Sequence, residues 1–497
     1  MLTARKSSPA VVALATVLVL LCFHATPAGA VPETKPLTIA GPDGSTLTFS
    51  AGYRGRVEMA DWFEGGAPLD NSNYAFMGNR FQLGATGKWK YFTGMLQYQH
   101  TLLFGVPEDG VGVGGIYRLN TDHDFQQRGW LRQGWLQADV PQGDWKLTVQ
   151  GGRFRYLDGM ETISKNPSLE WIRKNRIAER LIGPFDFTHV GRSFDGIRVA
   201  ADHGMVNASG FYFLPTSGGF EVSAGRHMDI NLGGLSLMLK DSDRFPGTEA
   251  RLFWIHYLDE RPEDGDVVVL DNRPLADRQA DDDEIAVETI GADLVHVQDV
   301  GDLTLDGMAW VAGQTGDWQS QDHAAWAFAL EGGLRFQKVV AKPWLRAGYF
   351  RSSGDDDGGD GDHDTFFQLI PTARLYALSP FYNLMNNQDV MLQLITRPLA
   401  ALGTRTDFHW LSVSEDEDIL YFGGGATKRK FFGYGGTPAG GADNTAYVIE
   451  QTVTYTVSRN VELQGYAGHA FGQGVVENGF PTDDDLTYGF LEVTLTF

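Results

Sequence analysis

The sequence has a single cysteine, and it lies near the start of the chain. Cys22 belongs to an apolar run, residues 11–23, that follows Arg5 and Lys6 and precedes the small residues 28–30. This order is typical of a secretory signal peptide, so residues 1–30 are predicted to be removed on export. The exported chain would then hold no cysteine and no disulfide, and its stability would come from backbone hydrogen bonds and packing.

Long apolar runs are also missing after residue 30, and the mean hydropathy of the chain is −0.22. A membrane-spanning helix needs about 20 consecutive apolar residues, so the sequence excludes one in the exported part. A closed β-barrel is the other structure that satisfies every backbone polar group in lipid. The 61 glycines and the 12% of aromatic residues suit a single large barrel spanning residues 31–497.

Basic residues are outnumbered by acidic ones. The chain has 40 Lys and Arg but 63 Asp and Glu, which gives a net charge of −23. This balance excludes a nucleic-acid partner. The acids concentrate in runs that interrupt the strand-like segments and are therefore predicted to be solvated loops. These runs are residues 259–284, 355–364, 415–418 and 483–485. The run at 354–364 lacks the Gly and Glu of a calcium-binding EF-hand loop, and no metal or other cofactor is predicted.

The last ten residues alternate between apolar and mostly polar side chains, and the chain ends on Phe497. A strand between lipid and water has this pattern. Residues 49–60 alternate in the same way, with Phe49, Val57 and other odd positions apolar and Arg54 among the even ones. We predict that the C-terminal strand closes the barrel against residues 49–60.

Alternation of short and long connections predicts the number of strands. Eight short connections fall near residues 87–91, 140–144, 201–205, 240–249, 297–303, 337–342, 399–403 and 458–460. Nine long ones fall near 61–74, 105–127, 156–191, 215–231, 259–285, 316–323, 352–388, 414–445 and 474–484. Seventeen connections imply about eighteen antiparallel strands, with short turns in the periplasm and long loops outside the cell. A barrel of this size is expected to enclose an aqueous channel.

Several segments resemble the alginate-export family of outer-membrane porins. They are residues 177–187 (IAERLIGPFDF), 192–196 (RSFDG), 364–377 (DTFFQLIPTARLYA), 380–388 (PFYNLMNNQ), 465–472 (GYAGHAFG) and the terminal strand. The resemblance implies an eighteen-stranded barrel with an arginine-lined constriction, through which an anionic polysaccharide passes from the periplasm to the outside. It also implies that loops folded into the lumen and a periplasmic turn help to occlude the pore.

Arginines on inward registers are the predicted pore lining. A polyuronate carries a carboxylate on each sugar, and the planar guanidinium group pairs with carboxylates in a permanently charged fork. The alternative is that these arginines are structural crosslinks to nearby acids such as Glu58, Asp195 and Glu249. The ten predicted residues are Arg54, Arg56, Arg80, Arg153, Arg155, Arg192, Arg198, Arg251, Arg346 and Arg405.

Two long connections contain segments that are predicted to enter the lumen. Residues 165–180 are basic and either fold inward or stay outside as a solvated or lipopolysaccharide-binding loop. Residues 366–388 are rich in Phe, Tyr, Leu and Asn. They are predicted to tuck into the lumen as a plug or a stacking surface for sugars, with packing on the barrel wall as the alternative.

Together these features predict a passive outer-membrane channel that exports an anionic polysaccharide such as alginate. The alternative is an uptake porin for small anionic solutes. Catalysis is not predicted, because residues 191–195 lack the second glycine of a nucleophile elbow and neither His409 nor His469 has a partner by spacing. The expected partners are the polymer, outer-membrane lipid and lipopolysaccharide, periplasmic export proteins and the barrel-assembly machinery.

Deletion of Phe497 is expected to abolish membrane insertion, because assembly machinery reads the aromatic end of an unfolded barrel. Outer-membrane fractionation measures the effect. Normal insertion of the truncated chain would contradict the assignment of Phe497 as the assembly signal.

Overall fold

The computed structural model describes residues 34–65, 71–372, 376 and 378–497, so the predicted signal peptide lies outside the described residues. The described chain is almost entirely β-structure. Its strands are β1 (Thr38–Ala40), β2 (Thr46–Asp61), β3 (Asn73–Trp89), β4 (Phe92–Phe104), β5 (Gln126–Gln142), β6 (Trp145–Phe154), β7 (Phe194–His203), β8 (Val206–Pro215), β9 (Ile230–Leu239), β10 (Thr248–Asp259), β11 (Ile285–Val300), β12 (Leu303–Trp318), β13 (Gln321–Phe336), β14 (Trp344–Ser352), β15 (Asp362–His363), β16 (Gln388–Leu399), β17 (Leu402–Ser412), β18 (Ile419–Gly423), β19 (Tyr434–Pro438), β20 (Asn444–Ser458), β21 (Val461–Gly472) and β22 (Asp485–Thr496).

All of these strands except β1, β15, β18 and β19 form the wall of a barrel, which gives eighteen wall strands over the described residues. Each wall strand pairs antiparallel with its neighbours in the chain. The barrel closes between β22 and β2, where Thr494 lies opposite Arg54 and Glu492 opposite Arg56. The predicted strand number and the predicted closing strand are both confirmed.

Period-two alternation sorts the wall side chains as predicted. Leu83 and Leu330 are 62% and 55% exposed on the outer face, whereas Arg54 and Glu58 are 8% and 2% exposed on the inner face. Apolar side chains outside and polar ones inside are what a barrel in lipid requires. Among the described residues, no helix is both long and apolar enough to cross a membrane.

The predicted long connection at 316–323 is wrong. β12 and β13 instead meet in a tight turn at Gln319 and Ser320. These polar residues have the composition of a loop, but they form the extracellular end of the hairpin of β12 and β13. There Gln319 donates to the backbone carbonyl of Asp281 at 2.6 Å and Ser320 donates to its carboxylate at 2.7 Å. A neighbouring loop therefore satisfies these polar groups.

In the described part of the chain, four short α-helices lie in the connections between wall strands. They are α1 (Val113–Thr121), α2 (Pro167–Ile172), α3 (Leu275–Ala280) and α4 (Gly474–Gly479). A π-helical turn, Arg173–Ile177, continues α2.

Two connections fold into the lumen and fill it. The first infolded segment, residues 155–193, joins β6 to β7, and the second, residues 353–387, joins β14 to β16. Leu169 and Ile182 of the first and Phe366 and Ile370 of the second are fully buried. The expectation of an aqueous channel along the whole lumen is therefore wrong, because these apolar side chains pack against the inner wall.

Substitution of Val311 by Arg should lower the free energy of unfolding in bilayers by about 2–4 kcal/mol, because this lipid-facing residue lies at mid-strand in β12. Leu305, also lipid-facing, lies close to the periplasmic turn, and its replacement by Arg should cost about 0–1 kcal/mol. Urea titrations in phospholipid vesicles measure both values. Equal costs at the two positions would contradict the assigned membrane depth.

Candidate functional site

The first infolded segment owes its path to a short, well-capped helix. Asn166 caps α2, since its side-chain oxygen accepts from the backbone amides of Ser168 at 2.9 Å and Leu169 at 3.4 Å. Pro167 occupies the first helical position, where a missing amide hydrogen costs nothing. The helix therefore starts abruptly, and the π-helical turn after it directs Arg173 and Arg176 into the wall.

This segment leaves the wall on the side of the long connections and reaches the side of the short ones. Lys165 and Asn166 share a cavity with Asp241, Asp299 and Lys342, which lie at or beside periplasmic turns. The prediction that residues 165–180 fold inward is confirmed. The alternative of an external loop is wrong for the arginines at 173, 176 and 180, which are buried.

The two infolded segments hold each other by backbone hydrogen bonds. Gly183 donates to the carbonyl of Ile370 at 2.8 Å, Ile370 donates to Leu181 at 2.9 Å, and Thr372 donates to Glu179 at 3.0 Å. The prediction that residues 366–388 enter the lumen is confirmed for the described residues in that range. The paired segments form a single plug across the barrel.

Asp186 of the plug is the centre of an arginine cluster. Its carboxylate accepts from Arg132 at 2.5 Å, pairs with Arg155, and lies 3.7 Å from Arg80. Its backbone carbonyl accepts from Arg54 at 2.7 Å and from Arg80 at 3.2 Å. Burial alone would raise the pKa of Asp186, but the surrounding guanidinium groups hold it well below its usual range.

Arg56 forms the second layer of this cluster. Its guanidinium group bonds to Glu492 at 2.7 Å and donates to the carbonyl of Phe187 at 3.0 Å. It also lies between two rings, 4.3 Å from that of Phe187 and 4.5 Å from that of Phe490. This wall arginine thus forms a salt bridge, a hydrogen bond to a backbone carbonyl and two cation–π contacts at the same time.

The other predicted arginines face the lumen but contact mainly structural partners. Arg251 bonds to Asp158, Glu161 and Asp293 at 2.7–2.9 Å, and Arg346 to Asp306 at 2.5 Å. The remaining contacts are those of Arg153 with Asp195, of Arg405 with Asp407 and the carbonyl of Tyr376, of Arg198 with the carbonyl of Glu161, and of Arg192 with the carbonyls of Gly424 and Ala426. Arg155 and Arg192 belong to the plug and not to wall strands.

Sequence reasoning missed Arg132, which is fully buried in the cluster. The pairing of β4 with β5 shifts register so that Gln97 and Tyr98 face Gln133 and Leu131, and Arg132 is the extra residue. A β-bulge of this kind interrupts alternation, so a strict period of two gives no signal for Arg132. Asp186 was also missed, because its partners come from four separate parts of the chain.

The plug separates two cavities of different character. The periplasmic vestibule, a cavity of about 750 Å³, is lined by Asp186 and Phe187 together with the periplasmic turn at 400–403. The cavity on the extracellular side, about 430 Å³, is lined by Phe185. Burial raises the pKa of Glu179, on the vestibule wall, to about 7.

One buried group of residues with the geometry to coordinate a metal is already engaged. Ligand atoms of Asp407, His409 and Glu450 lie within 4.8 Å of one another. However, Arg405 pairs with Asp407, and Glu450 accepts from the backbone amide of Ser379 at 2.7 Å. Spacing along the chain indicated no partner for the two histidines, but His409 bonds to Asp389 at 2.9 Å and His469 to Thr487 at 2.8 Å.

Replacement of Glu331 by Gln should lower the free energy of unfolding by about 3–5 kcal/mol, because it removes a buried anion and leaves Arg176 and Arg180 without an acidic partner. Glu331 lies 2.8 Å from Arg176, 3.1 Å from Arg346 and 3.5 Å from Arg180. Urea titration in vesicles measures the change. The control is Glu288→Gln on the outer face, where the side chain is 39% exposed, with an expected cost below about 1 kcal/mol. A similar small cost for both would show that the plug does not depend on Glu331.

Comparison with known proteins agrees with this architecture. The sequence matches the protein family described as Alginate export over residues 126–479. No curated protein sequence matches the chain.

Among solved structures, the chain resembles OccK9 (OpdG) of Pseudomonas aeruginosa, with a TM-score of 0.56 and 11% identity over 91% of this chain and 98% of that one. It resembles a BenF-like porin from Pseudomonas fluorescens Pf-5 equally, with a TM-score of 0.56 and 11% identity over 91% and 98%. The Pseudomonas aeruginosa structure of OpdK with vanillate gives a TM-score of 0.54 and 10% identity over 90% and 98%. The chain belongs to the alginate-export family of outer-membrane β-barrels.

Proposed function

We propose that this protein is a passive outer-membrane channel that exports an anionic polysaccharide, alginate or a similar polyuronate. The observation that carries the proposal is the charge of the periplasmic vestibule. Five cationic side chains line it against three anionic ones, in a chain whose net charge is −23. The cations are Arg54, Arg56, Lys174, Arg397 and Arg405, and the anions are Glu179, Asp186 and Glu462. A cationic cleft concentrates polyanions from the periplasm.

The opposite end of the barrel supports outward movement. The acidic runs at 259–284, 355–364, 415–418 and 483–485 all lie in or beside the long connections at the extracellular end. Negative charge there repels an anion that approaches from outside, while the vestibule attracts one from the periplasm. The polarity of charge along the barrel axis thus favours export.

Asp186 holds the place of a substrate carboxylate in this proposal. Its carboxylate takes the bonds of Arg132 and Arg155, and its carbonyl takes those of Arg54 and Arg80. A polyuronate offers the same groups, a carboxylate and neutral oxygens, in every sugar unit. The polymer could therefore replace the plug at the wall arginines Arg54, Arg80 and Arg132, and the plug would seal the lumen when no polymer is present. Polymer synthesis behind the channel and dilution ahead of it would supply the drive.

Uptake of small anions is the alternative function. The same arginines would serve it, and OpdK, which has a similar fold, was crystallised with vanillate. The acidic extracellular end disfavours this direction. The side on which an anion enters more readily separates the two functions.

The partners follow from the proposed function. The outer face would contact lipid, and the external loops would contact lipopolysaccharide. Phe497 pairs with β2, because its amide donates to the carbonyl of Ala51 at 2.8 Å. This position at the barrel seam supports recognition of Phe497 by assembly machinery, and the vestibule offers a surface to periplasmic export proteins.

Asp186→Asn should open the channel, because Arg132 of the wall loses the charge that ties it to the plug. Loss of one partner of a buried charge pair costs about 2–5 kcal/mol, and 1.4 kcal/mol corresponds to tenfold in an equilibrium constant. We therefore expect open probability in planar bilayers to rise by about tenfold or more. Oligouronates should block the open channel at lower concentration from the periplasmic side.

The matched control is Asp195→Asn. Asp195 also pairs with an arginine, Arg153, at 2.6 Å, but the two residues belong to wall strands and not to the plug. The open probability of the Asp195→Asn channel should equal that of the unmodified protein. A cation-selective channel, or an Asp186 variant that stays closed, would overturn the arginine-based mechanism. Stronger block from the extracellular side would favour uptake.

A further inference from the structure

The extracellular cavity, about 430 Å³, lies on the outer side of the plug. Every residue on its lining belongs to a connection between wall strands, mainly those at 62–72, 105–125, 353–387 and 413–443. The lipid-facing wall contributes none of the described lining, so a bilayer acyl chain has no lateral route into it. The cavity is a site for a molecule that arrives from outside the cell.

Aromatic rings in contact form one wall of this cavity. The ring of Phe63 lies 5.2 Å from that of Phe480 and 5.2 Å from that of Phe381, which in turn lies 5.2 Å from the ring of Tyr382. These rings come from three different connections. Trp62 extends the wall and packs on Gly112, where an added Cβ would lie 2.5 Å from the indole ring.

Glycine residues form a second part of the lining. The hairpin of β18 and β19 contributes Gly423, Gly433 and Gly435 to the lining. Gly433 has a φ of 108°, and an added Cβ would lie 2.1 Å from the backbone carbon of Gly425. Only glycine fits at position 433.

Two residues of the lining carry a buried hydroxyl group that has no partner. Tyr382 and Thr427 are 4% and 2% exposed. Within the described part of the chain, neither side-chain oxygen has a hydrogen-bond partner. An unmet buried hydroxyl is costly, and a bound molecule with one polar group would relieve this cost. The otherwise apolar lining does not suit a polysaccharide, which needs a hydrogen bond for each of many hydroxyls.

We propose that this extracellular cavity binds a small planar aromatic molecule that carries one polar substituent, such as a hydroxyl. Its ring would stack on the aromatic wall, and its substituent would pair with Tyr382 or Thr427. The cavity volume is within the range of small-molecule sites, about 300–1,000 Å³. This site is separate from the arginines around Asp186, so the proposal does not depend on what crosses the lumen.

The test is equilibrium dialysis of 2-naphthol against the full-length protein in lipid nanodiscs, with empty nanodiscs subtracted. We expect saturable binding of one molecule per barrel. Decahydro-2-naphthol, which has the same skeleton and hydroxyl but is not flat, should bind at least about tenfold more weakly, because a puckered ring loses the stacking contacts. Equal binding of the two compounds would overturn recognition of an aromatic ring.

Substitutions locate the site. Leu119, on the lining and 77% exposed, should abolish binding when replaced by Trp, because the larger ring occupies the cavity mouth. The control is Leu275→Trp, an exposed residue of α3 in another external connection. Binding that survives Leu119→Trp, or that is lost equally in the control, would place 2-naphthol elsewhere and overturn the proposal.

The hydroxyl contacts have their own readout. Tyr382→Phe combined with Thr427→Val should weaken 2-naphthol binding by about fivefold, the value of one hydrogen bond, and leave naphthalene unchanged. Equal loss for both compounds would show a change of cavity shape and reject the hydrogen bond. Because these measurements follow binding and not conduction, their failure is distinguishable from failure of the export proposal.

Discussion

Pairing of buried charge is the constraint on which the interior of this barrel depends. The inner wall carries guanidinium and carboxylate groups that lie out of reach of bulk water, such as Arg251 and Glu331. Burial of an unpaired ion costs several kcal/mol even after relaxation. The infolded segments supply the missing partners, since Arg173 and Arg176 bond to Glu249 and Glu331 of the wall. Neither the wall nor the plug could therefore pair all of its buried charges without the other.

Pairing between charges of the wall and of the plug also connects closure of the lumen with the proposed transport. Contacts made by backbone carbonyls and one carboxylate are individually replaceable by another oxygen-rich anion, whereas apolar packing is not. The plug uses exchangeable contacts where it crosses the arginine cluster, around Asp186. It uses apolar contacts above this level, where Phe185 and Phe220 pack with ring centroids 5.6 Å apart. The channel proposed here would thus use both kinds of contact, at different depths.

Strand number, wall faces and barrel closure could be predicted from the sequence because lipid and water impose a strict period of two. The prediction was wrong where another loop satisfied polar residues, as at Gln319 and Ser320. It was incomplete where a bulge broke the period, as at Arg132. Which acid pairs with which arginine could not be predicted, since Arg176 and Glu331 are 155 residues apart. The extracellular cavity was equally hidden, because several connections that are distant in the sequence build it.

The barrel seam has a consequence for the order of folding. Arg56 in β2 and Glu492 in β22 are 436 residues apart, so the wall cannot close until the end of the chain has left the inner membrane. The segment that fills the lumen is exported long before that end. It contacts strands on several sides of the barrel, among them β2, β4, β10 and β13. The open sheet therefore curls around a segment that is already available, and such long-range closure is slow. When the last wall strand pairs with the first, it encloses a packed core, as the last strand of a soluble β-protein does. It does not merely close an empty barrel.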